Sequence, residues 1–289
     1  MTNLPDPIVD KILIAALAED LGDAGDITST ATVPAAAAVT ATLLARRGGC
    51  IAGIDIALRA FFLVDPTVVT VSLISNGTVV EAGAAVATIA GPARSILAAE
   101  RVALNLLGRL SGIATATADL VSRVEGTGAK ITDTRKTTPG LRVLEKMAVR
   151  AGGGVNHRFG LYDAVLIKDN HIAAVGSAAK AVEQGRAEVG HMVKVEVEIE
   201  SIDDLESVIN AGADAVMLDN MDPVDMREAV NTAAGRVIVE ASGGIMPDTV
   251  REVAETGVDI ISVGWITHSA PALDVALEFD PAPEPDVSA

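Results

Sequence analysis

The chain has 289 residues and a formal net charge of −17; 49% of its residues are apolar and 2% aromatic. That length suits one large domain with a smaller companion, and the apolar half supplies a sizeable core. Such an acidic, aromatic-poor chain fits neither nucleic acid nor an anionic membrane surface, and its single cysteine, Cys50, excludes an internal disulfide and points to a reducing cytoplasm.

The N-terminal segment carries Pro5 and Asp6 where a signal peptide needs basic residues. The apolar run "PAAAAVTATLLA" is too short to span a bilayer and is followed by Arg46 and Arg47, so a soluble protein is expected. The spacing predicts an amphipathic helix over 8–21, then turns through "GDAGDITST". From 36 to 92 the pattern reads as short strands, with Asn76-Gly77 as hairpin turn chemistry. A long apolar helix follows over 95–124, with a break expected near Gly112.

Beyond Gly128, strands are predicted at Lys130–Asp133, Ala164–Lys168, Val193–Glu200, Ala215–Asp219, Arg236–Glu240 and Asp259–Val263. Helix-like segments such as "SIDDLESVINAG" and "MPDTVREVAETG" lie between them. That rhythm implies a parallel α/β sheet, and its repetition favours a barrel, closed or partly open. The last stretch, "FDPAPEPDVSA", is acidic and Pro-rich and reads as a frayed tail.

In a parallel barrel the chemistry gathers where strands end and βα loops begin. The strand "VKVEVEIE" alternates, with Val193, Val195, Val197 and Ile199 on one face and Lys194, Glu196, Glu198 and Glu200 on the other. Either the charged face points into a barrel, or this is an edge strand with a solvated face. Asp219 and Glu240 end two further apolar strands, and Lys168 another. Glu198 and Asp219 beside a basic pocket suit Mg²⁺ held partly by a phosphorylated substrate. The loops "ASGGI" and "ISVGWITHS" offer free backbone N–H groups, which cradle anions.

Positive charge is concentrated within this anionic chain. Between Asp133 and Lys168 stand seven Lys and Arg against three acids. Arg142, Lys146 and Arg150 recur at helical spacing and read as structural or surface charge. The three glycines of "AGGGVNHRFG" disfavour a helix and deliver His157 and Arg158 ahead of Lys168. Arg forks match planar carboxylates, so Arg135 and Arg158, with His157, read as a carboxylate clamp, and Lys136 and Lys168 as phosphate-side cations.

The strings "DTRKTTPGLRVLEKMAVRAGGGVNHRFGLYDAVLIKDNHI", "VEVE", "MLDN", "ASGGI" and "SVG-x-x-THS", with "ERVALNLLGRLSGIAT" upstream, together resemble the motifs of the quinolinate phosphoribosyltransferase family across nearly the whole chain. The resemblance implies an α/β protein: an incomplete α/β barrel over 113–270, a smaller N-terminal α/β sandwich domain over 1–112, and 271–289 returning to the small domain through a C-terminal helix before the tail. It implies transfer of phosphoribosyl from phosphoribosyl pyrophosphate to quinolinate with decarboxylation, in NAD biosynthesis, with Mg²⁺ as cofactor. It further implies a cytoplasmic homodimer, or a higher oligomer, whose sites are completed by the neighbour's small domain.

Carried over by motif, Arg135, His157 and Arg158 would hold the quinolinate carboxylates, with Arg101 donated by the partner subunit. From spacing alone, Arg101 reads as a helix-surface or core ion-pair residue. Thr134, Lys136 and Lys168 would line the space between the two substrates. Glu198 and Asp219 would stand by the ribose and the metal, and Lys136, Lys168, Glu198 and Asp219 form the catalytic group. Ser242, Gly243, Gly244, Val263, Gly264 and Trp265 would border the 5′-phosphate. Trp265, the chain's only tryptophan, departs from the small residue expected there. Two readings compete: a related enzyme acting on a single carboxylate such as nicotinate, and a barrel aldolase or decarboxylase with Lys168 as a Schiff base. "NGTVVEAGAAVATIAG" has the outline of a biotinyl or lipoyl hairpin but no lysine at its turn.

Overall fold

The computed structural model describes residues 4–280 and divides into two compact units, 1–115 with 270–289, and 116–269. In the first unit, α1 (Asp6–Leu21) buries Val9, Leu13 and Leu17, one residue per turn of a single helix face. The stretch expected as turns holds a short helix, α2 (Ile27–Thr32), because the Asp26 side chain accepts the Ser29 N–H at 2.9 Å and caps it.

The strand region is interrupted by a helix that the strand reading missed. Between β1 (Ala38–Ala45), β2 (Gly49–Cys50) and the later strands lies α3 (Ile54–Val64), with Ile54, Ile56, Ala57, Leu58, Ala60 and Phe61 buried. An almost wholly apolar run has little period to read, and burial on several sides decided for helix. Strands β3 (Val69–Ser72), β4 (Val79–Val80) and β5 (Ala84–Pro92) follow. Asn76-Gly77 does not close a hairpin, since β3 pairs with β5 and β4 with β2. Instead, Asn76 Oδ1 accepts the backbone N–H groups of Gly53 and Ile54 at 2.7 and 3.2 Å, capping α3. Helix α4 (Ala93–Arg123) is unbroken at Gly112, where a Cβ would stand 2.1 Å from the Pro271 carbonyl oxygen. That glycine serves close packing, not a break.

The second unit runs β6 (Lys130–Thr132), α5 (Arg142–Ala151), β7 (Val165–Ile167), α6 (Asp169–Val175), α7 (Ala178–Glu188) and β8 (Val195–Ile199). It continues α8 (Leu205–Asn210), β9 (Ala215–Asp219), α9 (Pro223–Ala233), β10 (Ile238–Ser242), α10 (Val250–Ala254), β11 (Ile260–Ser262) and α11 (Trp265–His268). The six strands form one parallel sheet in the order β6-β11-β10-β9-β8-β7. Strands β6 and β7 occupy its two edges, so the barrel is open. Strand β8 lies between β7 and β9, which overturns the edge-strand alternative. Val195, Val197 and Ile199 are buried, as is Glu196, so the charged face does turn inward at its centre. At its ends Lys194 and Glu200 are exposed.

The described residues return to the first unit as β12 (Val275–Phe279), antiparallel to β1 with Leu44 opposite Ala276. This corrects the expected C-terminal helix: the open edge of β1 supplies the hydrogen bonds of "VALEF", which is buried at Ala276 and exposed at Glu278 and Phe279. Most of the acidic tail lies outside the described residues. Among those described, no helix is long and apolar enough to cross a membrane.

A cationic cavity at the strand ends

The C-terminal ends of the parallel strands and the loops beyond them border a cavity of about 770 Å³. It is lined by Thr134, Arg135 and Lys136 after β6, His157 and Arg158 before β7, and Lys168 after β7. Glu198 of β8, Asp219 of β9, Ser242 at the end of β10 with Gly243 and Gly244 after it, and Val263, Gly264 and Trp265 after β11 complete the set anticipated from sequence. Arg101 alone is elsewhere, exposed on α4.

The two halves of the clamp meet through a buried ionic knot. Val155 N–H donates to the Ile131 carbonyl at 2.8 Å, laying the residues before His157 alongside β6. Gly154 permits this approach: a Cβ there would press on Val149, Thr117 and the Ile131 carbonyl. Asp133, at the end of β6, is 0% exposed and accepts from Lys146 Nζ, from Asn156 Nδ2 at 2.5 Å and from the His157 N–H at 3.0 Å. Lys146 Nζ also donates to the His157 carbonyl at 3.0 Å. Lys146 is therefore not surface charge: it is 0% exposed, the pivot of the segment. Burial presses both partners toward neutrality, the Asp133 carboxyl upward and the Lys146 ammonium downward, against their mutual attraction. Neighbouring charges are also structural. Glu145 accepts Thr138 N–H and Oγ1–H at 3.0 and 2.7 Å, and Arg142 donates to the Phe159 carbonyl at 2.9 Å.

Arg158 donates through Nη1 to the Ala164 carbonyl at 2.8 Å, while its buried Nε–H meets no acceptor. Burial, then the neighbouring Arg135, lowers its pKa, so the two guanidiniums repel one another across the site. An anion between them would relieve both penalties.

Behind the clamp lies a second cluster. His157 Nδ1 receives the Arg158 N–H at 2.8 Å, so in the neutral ring the proton sits on Nε2 and faces Glu196 Oε2 at 2.9 Å. Burial opposes a charge on His157, but Glu196 and Glu240 outweigh it and raise the imidazole above its ordinary value. Glu240 is 4% exposed with Oε1 unpartnered, and burial, then Glu196, pushes its carboxyl up to about 8. Glu196 and Glu240 were legible as an inward position on "VEVE" and a strand-end acid, yet neither stood among the expected site residues. His157, Glu196 and Glu240 have metal-ligand spacing, but the ring nitrogens are already committed, one to a backbone N–H and one to Glu196.

For the expected metal, Glu198 and Asp219 both face the cavity. Glu198 is ion-paired with Lys168, and Asp219 accepts from Asn220 Nδ2 at 2.9 Å. Two hard carboxylates, one of them already neutralised, fit a Mg²⁺ shared with substrate phosphates better than a site built by protein alone. Asn220, at φ 54°, donates its N–H to the Ser242 carbonyl at 2.9 Å and crowds the glycine loop. Gly243 there has φ 101°, and a Cβ would stand 2.2 Å from Asn220 Oδ1. Only glycine fits that turn.

Comparison with known proteins agrees with this architecture. The family models for the quinolinate phosphoribosyl transferase N-terminal and C-terminal domains match residues 26–111 and 113–278. The chain belongs to the quinolinate phosphoribosyltransferase family. A probable nicotinate-nucleotide pyrophosphorylase (carboxylating) of Bacillus subtilis is 45% identical, covering 93% of this chain and 92% of that protein. The nicotinate-nucleotide pyrophosphorylase (carboxylating) of Mycobacterium leprae is 44% identical, covering 91% and 94%. The solved nicotinate-nucleotide pyrophosphorylase of Francisella tularensis superposes with a TM-score of 0.92 at 41% identity, covering 96% of this chain and 98% of that one.

Proposed function

We propose that this chain transfers the phosphoribosyl group of phosphoribosyl pyrophosphate to quinolinate, with loss of CO₂, giving nicotinate mononucleotide and pyrophosphate in de novo NAD biosynthesis. The observation that carries the reading is the pair Arg135 and Arg158, brought together at one cavity in a protein of net charge −17, with a buried guanidinium N–H awaiting an acceptor. Arg135 and Arg158 would hold the two carboxylates, backed by His157, whose ring is tied to the Arg158 N–H and to Glu196, and Thr134, Lys136 and Lys168 would line the space between the substrates. Ser242, Gly243, Gly244, Val263 and Gly264 would receive the 5′-phosphate.

Held in this way, the pyridine nitrogen attacks C1 of the ribose as the bond to pyrophosphate breaks, and the electron pair leaves with pyrophosphate. Glu198 and Asp219 offset the positive charge that develops on the ribose. They are also the residues that would hold Mg²⁺, together with substrate oxygens, and the ion when bound supplies charge neutralisation of the leaving pyrophosphate. The positive charge on the alkylated ring nitrogen then stabilises the pair left on C2 when CO₂ departs, and that carbon takes up a proton. No protein nucleophile is needed, so positioning and electrostatics carry the rate.

Arg101, on the first unit, is assigned to the site of a partner subunit in a homodimer. Mixing Arg101→Ala and Arg158→Ala protomers should then restore part of the activity each lacks, and no recovery would remove Arg101 from the site. Cys50, buried and the chain's only cysteine, is consistent with a cytoplasmic setting. The deciding assay supplies phosphoribosyl pyrophosphate, Mg²⁺ and either quinolinate or nicotinate, and follows mononucleotide and CO₂. Both products from quinolinate alone are expected; product from nicotinate instead would assign a single-carboxylate substrate.

A further inference from the structure

The loops after β10 and β11 both line the cavity, and one side chain joins them. Trp265, the only tryptophan of the chain, lies half-buried in the cavity wall, and its indole Nε1–H donates to the Ile245 carbonyl at 3.1 Å. Two residues further on, Thr267 Oγ1 donates to the Lys136 carbonyl at 2.8 Å. The turn from Gly264 to His268 is thus bonded on one side to the glycine loop and on another to the segment that carries Lys136.

The glycine loop needs such a tie. Gly243 and Gly244 follow one another at φ 101° and 60°, conformations that a two-glycine segment leaves as readily as it adopts. Ordering them when a ligand arrives would cost backbone entropy and weaken binding. Ile245 comes next and is itself buried, so fixing its carbonyl fixes the exit of the loop. An indole is suited to this: it spans a wide gap on a rigid frame, and its N–H is donor only and demands an acceptor where it is shielded from water.

We propose that Trp265 is a positioning residue for the phosphoribosyl donor, holding the Ser242–Gly243–Gly244 backbone beside Val263–Gly264 so that both loops grip one phosphate. The proposal rests on the phosphate assignment made above. It concerns only the phosphate end of the cavity, since the groups assigned to the carboxylates are tied down separately by Asp133 and Lys146.

Trp265→Phe keeps a large apolar ring and removes the N–H. In the full-length protein its KM for phosphoribosyl pyrophosphate should rise about fivefold, the factor expected for one lost hydrogen bond, while the quinolinate KM stays within about twofold. An unchanged donor KM, or equal rises in both, overturns the proposal. The unaltered protein offers a second readout that needs no turnover, because its tryptophan emission comes from Trp265 alone. Titration with inorganic phosphate should shift that emission saturably, and the donor should do so at lower concentration. A flat emission with both ligands overturns the clasp. If the protein turns over no phosphoribosyl pyrophosphate at all, the functional reading fails instead, and the phosphate titration still decides the role of Trp265.

Discussion

The two ends of the cavity are built by opposite means. At the proposed carboxylate end, charged side chains are fixed by other charges: Asp133 and Lys146, both 0% exposed, tie the segment after β6 that bears Arg135 to the segment bearing His157 and Arg158. At the phosphate end the backbone itself is the proposed ligand, and glycines shape it, with Asn220 and Trp265 holding the turns. The first end depends on pairing and breaks when a partner is lost. The second depends on space and breaks when an atom is added.

The largest effect is expected at the ionic knot. Lys146→Met strands the Asp133 carboxylate in the core and should destabilise the protein by about 3–5 kcal/mol, read by denaturant unfolding. A loss below about 1 kcal/mol would mean that Asp133 is held by Asn156 and the backbone alone. Next, Arg135→Ala removes a charge-assisted contact worth about 1.5–3 kcal/mol, so the quinolinate KM should rise roughly 10- to 100-fold with the donor KM little changed. Equal losses for both substrates would place Arg135 outside the clamp.

Gly243→Ala tests the other end. The added Cβ meets Asn220 in a left-handed turn, and about 1–3 kcal/mol of strain should appear as a weakened donor KM with quinolinate binding preserved. Weakened quinolinate binding would deny that the ends are independent.

A pH dependence is expected at Glu240. Its carboxyl rises from 4.5 to about 8 in the fold, so between those values the native state holds a proton that the unfolded state has released. Wild-type stability should therefore fall as pH rises through that window, by up to about 1.4 kcal/mol per pH unit, and level off above it. Glu240→Gln, which cannot ionise, should flatten that slope. A wild-type slope unchanged by the substitution would mean that Glu240 is charged in the fold.

Much of the site was legible because strand ends announce themselves. "VEVE", "MLDN" and "ASGGI" each close an apolar run with polar or small residues, and a parallel sheet gathers such ends at one edge. Lys146 was legible as structural charge, but its burial and its partner were not. Its spacing from Arg142 and Arg150 is that of a solvated helix face, and only the fold places Asp133 beside it. Glu240 likewise reads as one acid among many until His157 and Glu196 stand next to it. The C-terminal strand was missed in favour of the helix that the resemblance implied, because five residues have no preference strong enough to outweigh an available sheet edge.

The sequence by itself determined the parallel strand-helix rhythm of 130–263, the cationic segment and the glycine loops, since these rest on local periodicity, charge and backbone freedom. Only the tertiary structure decided which charges are buried, which turn caps a helix in place of closing a hairpin, and where Trp265 makes its bond. Those depend on neighbours distant in the chain: the partner of Lys146 is 13 residues away, that of Trp265 20, and that of Asn76 23. Local pattern carries no term for a contact that forms only when the strands have been set side by side.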